Sequence, residues 1–119
     1  MVQIPVSFKD KSANFQLTID LNNVNVILRI FYLIRVEKFF FEITAGDYNL
    51  KSIPLITNWL LLDKHKSEMP VLKGDFLVRR ISDEIDAPIL TYDNFGEDWG
   101  FFYLSQQEVV DFKNSIGII

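Results

Sequence analysis

Residues 15–21 alternate strictly. Phe15, Leu17, Ile19 and Leu21 are apolar, and Gln16, Thr18 and Asp20 between them are polar. A period of two marks a strand with one buried face. Asn22 and Asn23 follow, and asparagine tolerates the left-handed backbone of a tight hairpin turn. The alternation then resumes: Val24, Val26, Leu28, Ile30 and Tyr32 interleave with Asn25, Ile27, Arg29 and Phe31. The pattern predicts a β-hairpin over residues 14–34. From Phe31 onward its second strand is apolar on both faces, as expected of a strand covered by a sheet on one side and a partner on the other.

Phe39 to Thr44 predict a third strand, with Glu42 breaking one face. Ala45 to Asn49 form a turn cluster. Leu50 to Ile56 predict a fourth strand, interrupted by Pro54 as suits an edge or a strand end. Trp59 to Leu62 are ambiguous between strand and helical turn. Residues 63–70 are the most polar stretch and read as an exposed loop. Phe76 to Ile81 predict a short strand opened by Gly74-Asp75. Ser82 to Pro88 and Asp93 to Gly100 read as acidic loops, and Phe101 to Leu104 as a last strand. Ser105 and Glu108 stand at capping-box spacing, so one short helix is expected over about 105–115. The fold class is mainly β: a small antiparallel β-sandwich or barrel with one short C-terminal helix. No linker or repeat divides the 119 residues, so a single domain, 1–119, is the expectation.

Composition sharpens this picture. The chain is 49% hydrophobic and holds 11 phenylalanines, more aromatic surface than one small core readily hides, which hints at an interface. The formal net charge is −4 and only Arg79-Arg80 place two basic residues together. Phosphate neutralisation needs a concentrated basic surface, so no nucleic acid is expected as a partner. The longest apolar stretch, Val24 to Val36, is broken by Asn25, Arg29 and Arg35 and is too short to span a bilayer. Met1 to Pro5 lack the features of a signal peptide. No membrane contact is expected, and a soluble protein made inside the cell is the default.

Candidate chemistry is sparse. The chain has no cysteine, so thiolate metal sites and Cys nucleophiles are excluded. The single histidine, His65, sits between Lys64 and Lys66 with no orienting partner nearby in sequence; it reads as a solvated loop residue. Asp93, Asn94, Glu97 and Asp98 offer hard oxygen ligands of the kind calcium takes, but not at EF-hand spacing. A solvated turn using Gly96 and Gly100 is the simpler reading. Asp83, Glu84 and Asp86 would have to meet that loop in space to form a carboxylate pair for glycoside hydrolysis. There is no phosphate-binding glycine loop and no Gly-x-Ser-x-Gly elbow. The expectation is no enzyme, no cofactor and no metal. The residues singled out are aromatic: Phe31, Phe39, Phe40, Phe41, Trp59 and Trp99, each either core or subunit contact.

The order of these features resembles a family of small baseplate plug proteins from contractile-tailed bacteriophages. The residues that carry it are Ile4-Pro5-Val6, then Asn14-Phe15-Gln16-Leu17, then the turn and Arg-bearing strand from Asn22 to Ile30. Phe39 to Ile43 follow, then Pro54-Leu55-Ile56 through Leu60-Leu61-Leu62, then Asp93-Asn94-Phe95-Gly96 leading into Phe102-Tyr103-Leu104. The resemblance spans residues 3–105 and rests on order and spacing, not on any one motif. The charged stretch 63–70 and the continuation through 105–119 depart from the pattern.

The resemblance implies a structural virion protein, made in the host cytoplasm and placed in the tail baseplate. Its implied partners are the hub, the tail-tube end and the tape measure, with copies of itself in a homo-oligomeric ring. The alternative is a small soluble module that binds a carbohydrate or peptide through Trp59 or Trp99 and an acidic loop.

Overall fold

The structure is a computed structural model that describes residues 1–6, 14–21, 23–81 and 88–116. Seven strands and one α-helix follow one another: β1 (Val2–Ile4), β2 (Asn14–Leu21), β3 (Val24–Leu33), β4 (Lys38–Ala45), β5 (Tyr48–Pro54), β6 (Asp75–Arg80), β7 (Trp99–Leu104) and α1 (Gln106–Ser115). They form two antiparallel sheets, one of four strands in the order β2-β3-β4-β5 and one of three in the order β1-β7-β6. The barrel alternative is thereby set aside, because neither sheet closes. Pro54, which lacks an N–H, ends β5. The chain then crosses to the other sheet, where Asn58 N–H donates to Val78 O (2.7 Å) and Leu61 N–H to Phe76 O (3.1 Å).

The large sheet is a meander fixed by its turns. Leu21 pairs with Val24, so the first turn holds two residues, and Asn23 takes a left-handed φ of 65°. Asn22 lies outside the described residues. Ala45 pairs with Tyr48 across Gly46, whose φ is 62°. A side chain at that angle is disfavoured, which is why glycine stands there. The third connection, residues 34–37 between Leu33 and Lys38, is longer and closes with Glu37 at φ 53°.

The core lies between the sheets. Val26, Leu28 and Ile30 of β3 and Phe39, Phe41, Ile43 and Ala45 of β4 point inward. They meet Ile4, Phe76, Val78, Phe101 and Tyr103 of the small sheet. Phe41 crosses the gap to Phe101, edge-on, with ring centroids 6.4 Å apart, and Phe101 touches Phe76 at 5.3 Å. The outer face of the small sheet is covered as well. Leu77, Leu104 and Phe102 pack there against Leu60 and the apolar side of α1, Val109 and Phe112. Three layers result, with helix, small sheet and large sheet stacked in that order. The strands buried on both faces are thus β6 and β7, while β3 keeps one open face.

Several boundaries differ from the sequence expectation. β1 is a strand, paired with β7 from Val2–Tyr103 to Ile4–Phe101. β5 runs two residues earlier than expected and carries a register shift where Ser52 takes φ 54°. Trp59 to Leu62 are neither strand nor helix. Residues 63–68 form a 3-10 helix instead of a loop. β7 begins at Trp99, inside the stretch read as an acidic loop. Of the other acidic loop, residues 82–87 lie outside the described residues, Asp83, Glu84 and Asp86 among them. The C-terminal helix is as read: Ser105 Oγ accepts from Glu108 N–H (3.3 Å) and Glu108 Oε1 from Ser105 N–H (3.0 Å).

Candidate functional site: the open face of the large sheet

The strand period that buries Leu28 and Phe41 sends their neighbours to the opposite face. On that outer face Phe31 stands opposite Phe40, Arg29 opposite Glu42 and Ile27 opposite Thr44. Directly opposed side chains on neighbouring strands touch. The Phe31 and Phe40 rings stack with centroids 5.7 Å apart and 20° between planes. The Arg29 guanidinium lies 4.6 Å from the Phe31 centroid, in cation–π range. It also sits 3.3 Å from the Glu42 carboxylate and donates twice to Asn14 Oδ1, at 3.0 and 2.7 Å. The result is a fixed patch: two half-buried aromatic rings framed by an ion pair, with no described layer of the chain over it.

A second apolar area lies at one end of the molecule. The end of β3 and the β3–β4 connection raise Leu33, Ile34 and Val36 into solvent, and Ile34 is 74% exposed. Glu37 and Lys38, which follow, line an open cleft with Phe39, Leu55, Ile56 and Ile89, and Ile89 is 70% exposed. The sequence pattern hides this area, because Ile34 reads as the end of a strand. The signal that was available is chemical: a turn that presents Ile and Val, where turns ordinarily hold Gly, Asn, Asp or Ser.

The six aromatic candidates divide cleanly. Phe39, Phe41 and Trp99 are core, Phe39 against Phe95 at 5.1 Å and Trp99 only 3% exposed. Phe31 and Phe40 lie on the open face. Trp59 is 49% exposed and stands apart from them, beside a cleft of about 40 Å³ formed with Asn58, Asp63, Phe112, Lys113 and Ile116.

The other polar candidates are placed as follows. Asn94 organises its loop internally: its Oδ1 accepts from Thr91 N–H (2.7 Å), its Nδ2 donates to Ile89 O (2.9 Å), and its carbonyl accepts from Glu97, Asp98 and Trp99. Among the described residues no three His, Asp or Glu side chains gather as a metal site. His65 is half-buried in the 3-10 helix, not solvated in a loop. Its Nδ1 lies 3.6 Å from Glu68 Oε1, beyond hydrogen-bond distance, and is shielded from water.

One buried charge had no sequence signal. Asp75, at the start of β6, is fully buried. Its Oδ1 accepts from Leu62 N–H (2.7 Å) and Phe76 N–H (2.6 Å), tying the start of the 3-10 helix to the small sheet. Its Oδ2 is buried without a hydrogen-bond partner. Burial pushes the carboxyl up to about 6, against the two backbone donors and the charge of Lys66. Lys66 Nζ bonds Gly74 O, and burial pulls that ammonium down from its usual value. Gly74 N–H donates to Tyr103 Oη at 3.1 Å, which closes the cluster. It is a structural node that ties the 3-10 helix to β6 and β7.

Comparison with curated proteins gives no match. Residues 1–106 match the model of a family described as the cyanophage baseplate Pam3 plug gp18. The match takes in both sheets, the open face and the buried node, and stops where α1 begins. The chain belongs to this phage baseplate plug family, which gives it a structural role in a tail baseplate.

Proposed function

We propose that the chain is a plug of a contractile tail, seated on the baseplate axis between the hub and the tail-tube end. It acts there by subunit packing, without bond chemistry. The tape measure and further copies of the chain in a ring complete the proposed surroundings, and synthesis takes place in the host cytoplasm. The observation that carries this reading is the open face of the large sheet. A stacked Phe31–Phe40 pair framed by Arg29 and Glu42 is an ordered aromatic anchor with a charged rim, the composition that favours protein contacts. Its rings are held in place before any partner arrives, so little side-chain entropy remains to be lost.

The test is Phe40→Asp. The side chain points away from the core, so the variant folds. The expected result is incorporation into assembled baseplates reduced at least tenfold at unchanged far-ultraviolet circular dichroism. Normal incorporation of Phe40→Asp would remove the open face from the account.

The binding-module alternative has less to work with. Trp99 is inside the core, and the cleft beside Trp59 has room for about one water molecule, not a sugar ring.

A further inference from the structure

Both sheets have edges, and three of the four strands there are shielded or short. β6 is covered by the segment Asn58–Leu61 through two main-chain hydrogen bonds. β1 has only three residues. β5 carries a register shift at Ser52, a lysine at 51 and Pro54 at its end, all devices that deter strand addition. β2 is different. It runs eight residues as NFQLTIDL, with no proline, no lysine and an unbroken register against β3. Among the described residues nothing pairs with the outer edge of Gln16 to Asp20.

We propose that β2 pairs antiparallel with β2 of a second copy, joining two large sheets into one of eight strands. The register follows from the hairpin. Leu21 and Val24 flank a two-residue turn and therefore exchange hydrogen bonds across β2 and β3. By alternation Ile19 and Leu17 also turn their main-chain groups toward β3. Those of Gln16, Thr18 and Asp20 turn outward, where a second strand must meet them.

Centring the two-fold axis on Leu17 sets Gln16 opposite Thr18, Asn14 opposite Asp20 and Phe15 opposite Ile19. No like charges face each other. The partner's Asp20 falls beside Asn14, whose side chain is already bonded to the Arg29 guanidinium, so a carboxylate arrives next to a cation. On the inner side, Phe15, Leu17 and Ile19 are only half-buried. Pairing brings the same three residues of the second copy against them. The opposite edge, β5, is the shielded one, so this contact is isologous and two-fold; it joins copies in pairs and is separate from the head-to-tail contact that a ring would need.

The inference does not rest on the baseplate reading, and purified chain alone tests it. Native mass spectrometry and sedimentation are expected to show a species of twice the chain mass for the wild type. Thr18→Pro, which removes one outward N–H, is expected to be a monomer with an unchanged far-ultraviolet spectrum. Because the chain lacks cysteine, Leu17→Cys supplies an independent readout. Under mild oxidation it is expected to give a disulfide-linked dimer, while Lys51→Cys on β5 stays monomeric. A wild type that remains monomeric at 100 μM would overturn the proposal. So would a dimer that survives Thr18→Pro, or one that cross-links through Lys51→Cys and not through Leu17→Cys.

Discussion

A carboxylate removed from water keeps its charge only if hydrogen bonds and cations replace the lost hydration. Asp75 has two backbone donors on one oxygen and Lys66 nearby, and its second oxygen has no partner. That shortfall leaves its pKa near 6 in the folded protein, against 3.8 for the free side chain. A raised folded value means that folding favours the protonated form. The stability this group contributes is full below about pH 4 and falls as pH rises to about 6, by on the order of 3 kcal/mol. Asp75→Asn keeps the acceptor oxygen and cannot ionise. Denaturant titrations at several pH values are expected to show the variant gaining on the wild type between pH 4 and pH 6.5. A difference that stays flat, or falls, over that window would contradict the burial account. No sequence pattern announces this residue, because an aspartate after a glycine reads as a turn; only the fold shows it to be sealed in.

At the scale of elements, the contact between β6 and β7 depends on close approach. A Cβ on Gly74 would stand 2.0 Å from Leu104 O and 2.6 Å from the Tyr103 ring. The neighbour is backbone and cannot give way, so Gly74→Ala must push the strands apart. The expected cost is about 2–3 kcal/mol, measured as a lowered denaturation midpoint at unchanged slope. A midpoint within error of wild type would show that the strand junction is looser than drawn. Which elements were legible follows from range. The β2–β3 hairpin and the capped helix α1 carry their signals within a few residues: the period of two, the Asn-Asn turn, Ser105 with Glu108. β1 did not, because its pairing partner β7 lies about a hundred residues away and three residues show no period. Trp99 looked like part of an acidic loop because Asp98 and Gly100 flank it, yet burial against the core drew it into β7. The triple Phe39-Phe40-Phe41 was legible as a strand, but which face took the single member Phe40 needed the β3 register to be assigned.

At the scale of the whole molecule, an asymmetry links fold to role. Helix α1 covers the outer face of the small sheet, and no described element covers the outer face of the large one. Helix α1, which lies past the matched residues 1–106, closes one face, and the other is left open by the described elements. An open aromatic face, an apolar rim at Ile34 and Ile89, and an unshielded β2 edge lie on one protein with a small net charge of −4. Such surfaces ordinarily mark contact with other proteins. The candidate site was legible only in part: its residue types pointed to packing, while Arg29, Ile34 and Ile89 entered through the folded geometry alone. The most direct measurement is co-sedimentation of the wild-type chain with baseplates assembled from hub and tail-tube subunits. The account predicts that it travels with the baseplate peak in a fixed stoichiometry and that Phe40→Asp does not. A wild-type chain that stays at the top of the gradient, or a Phe40→Asp variant that still travels with the peak, would contradict it.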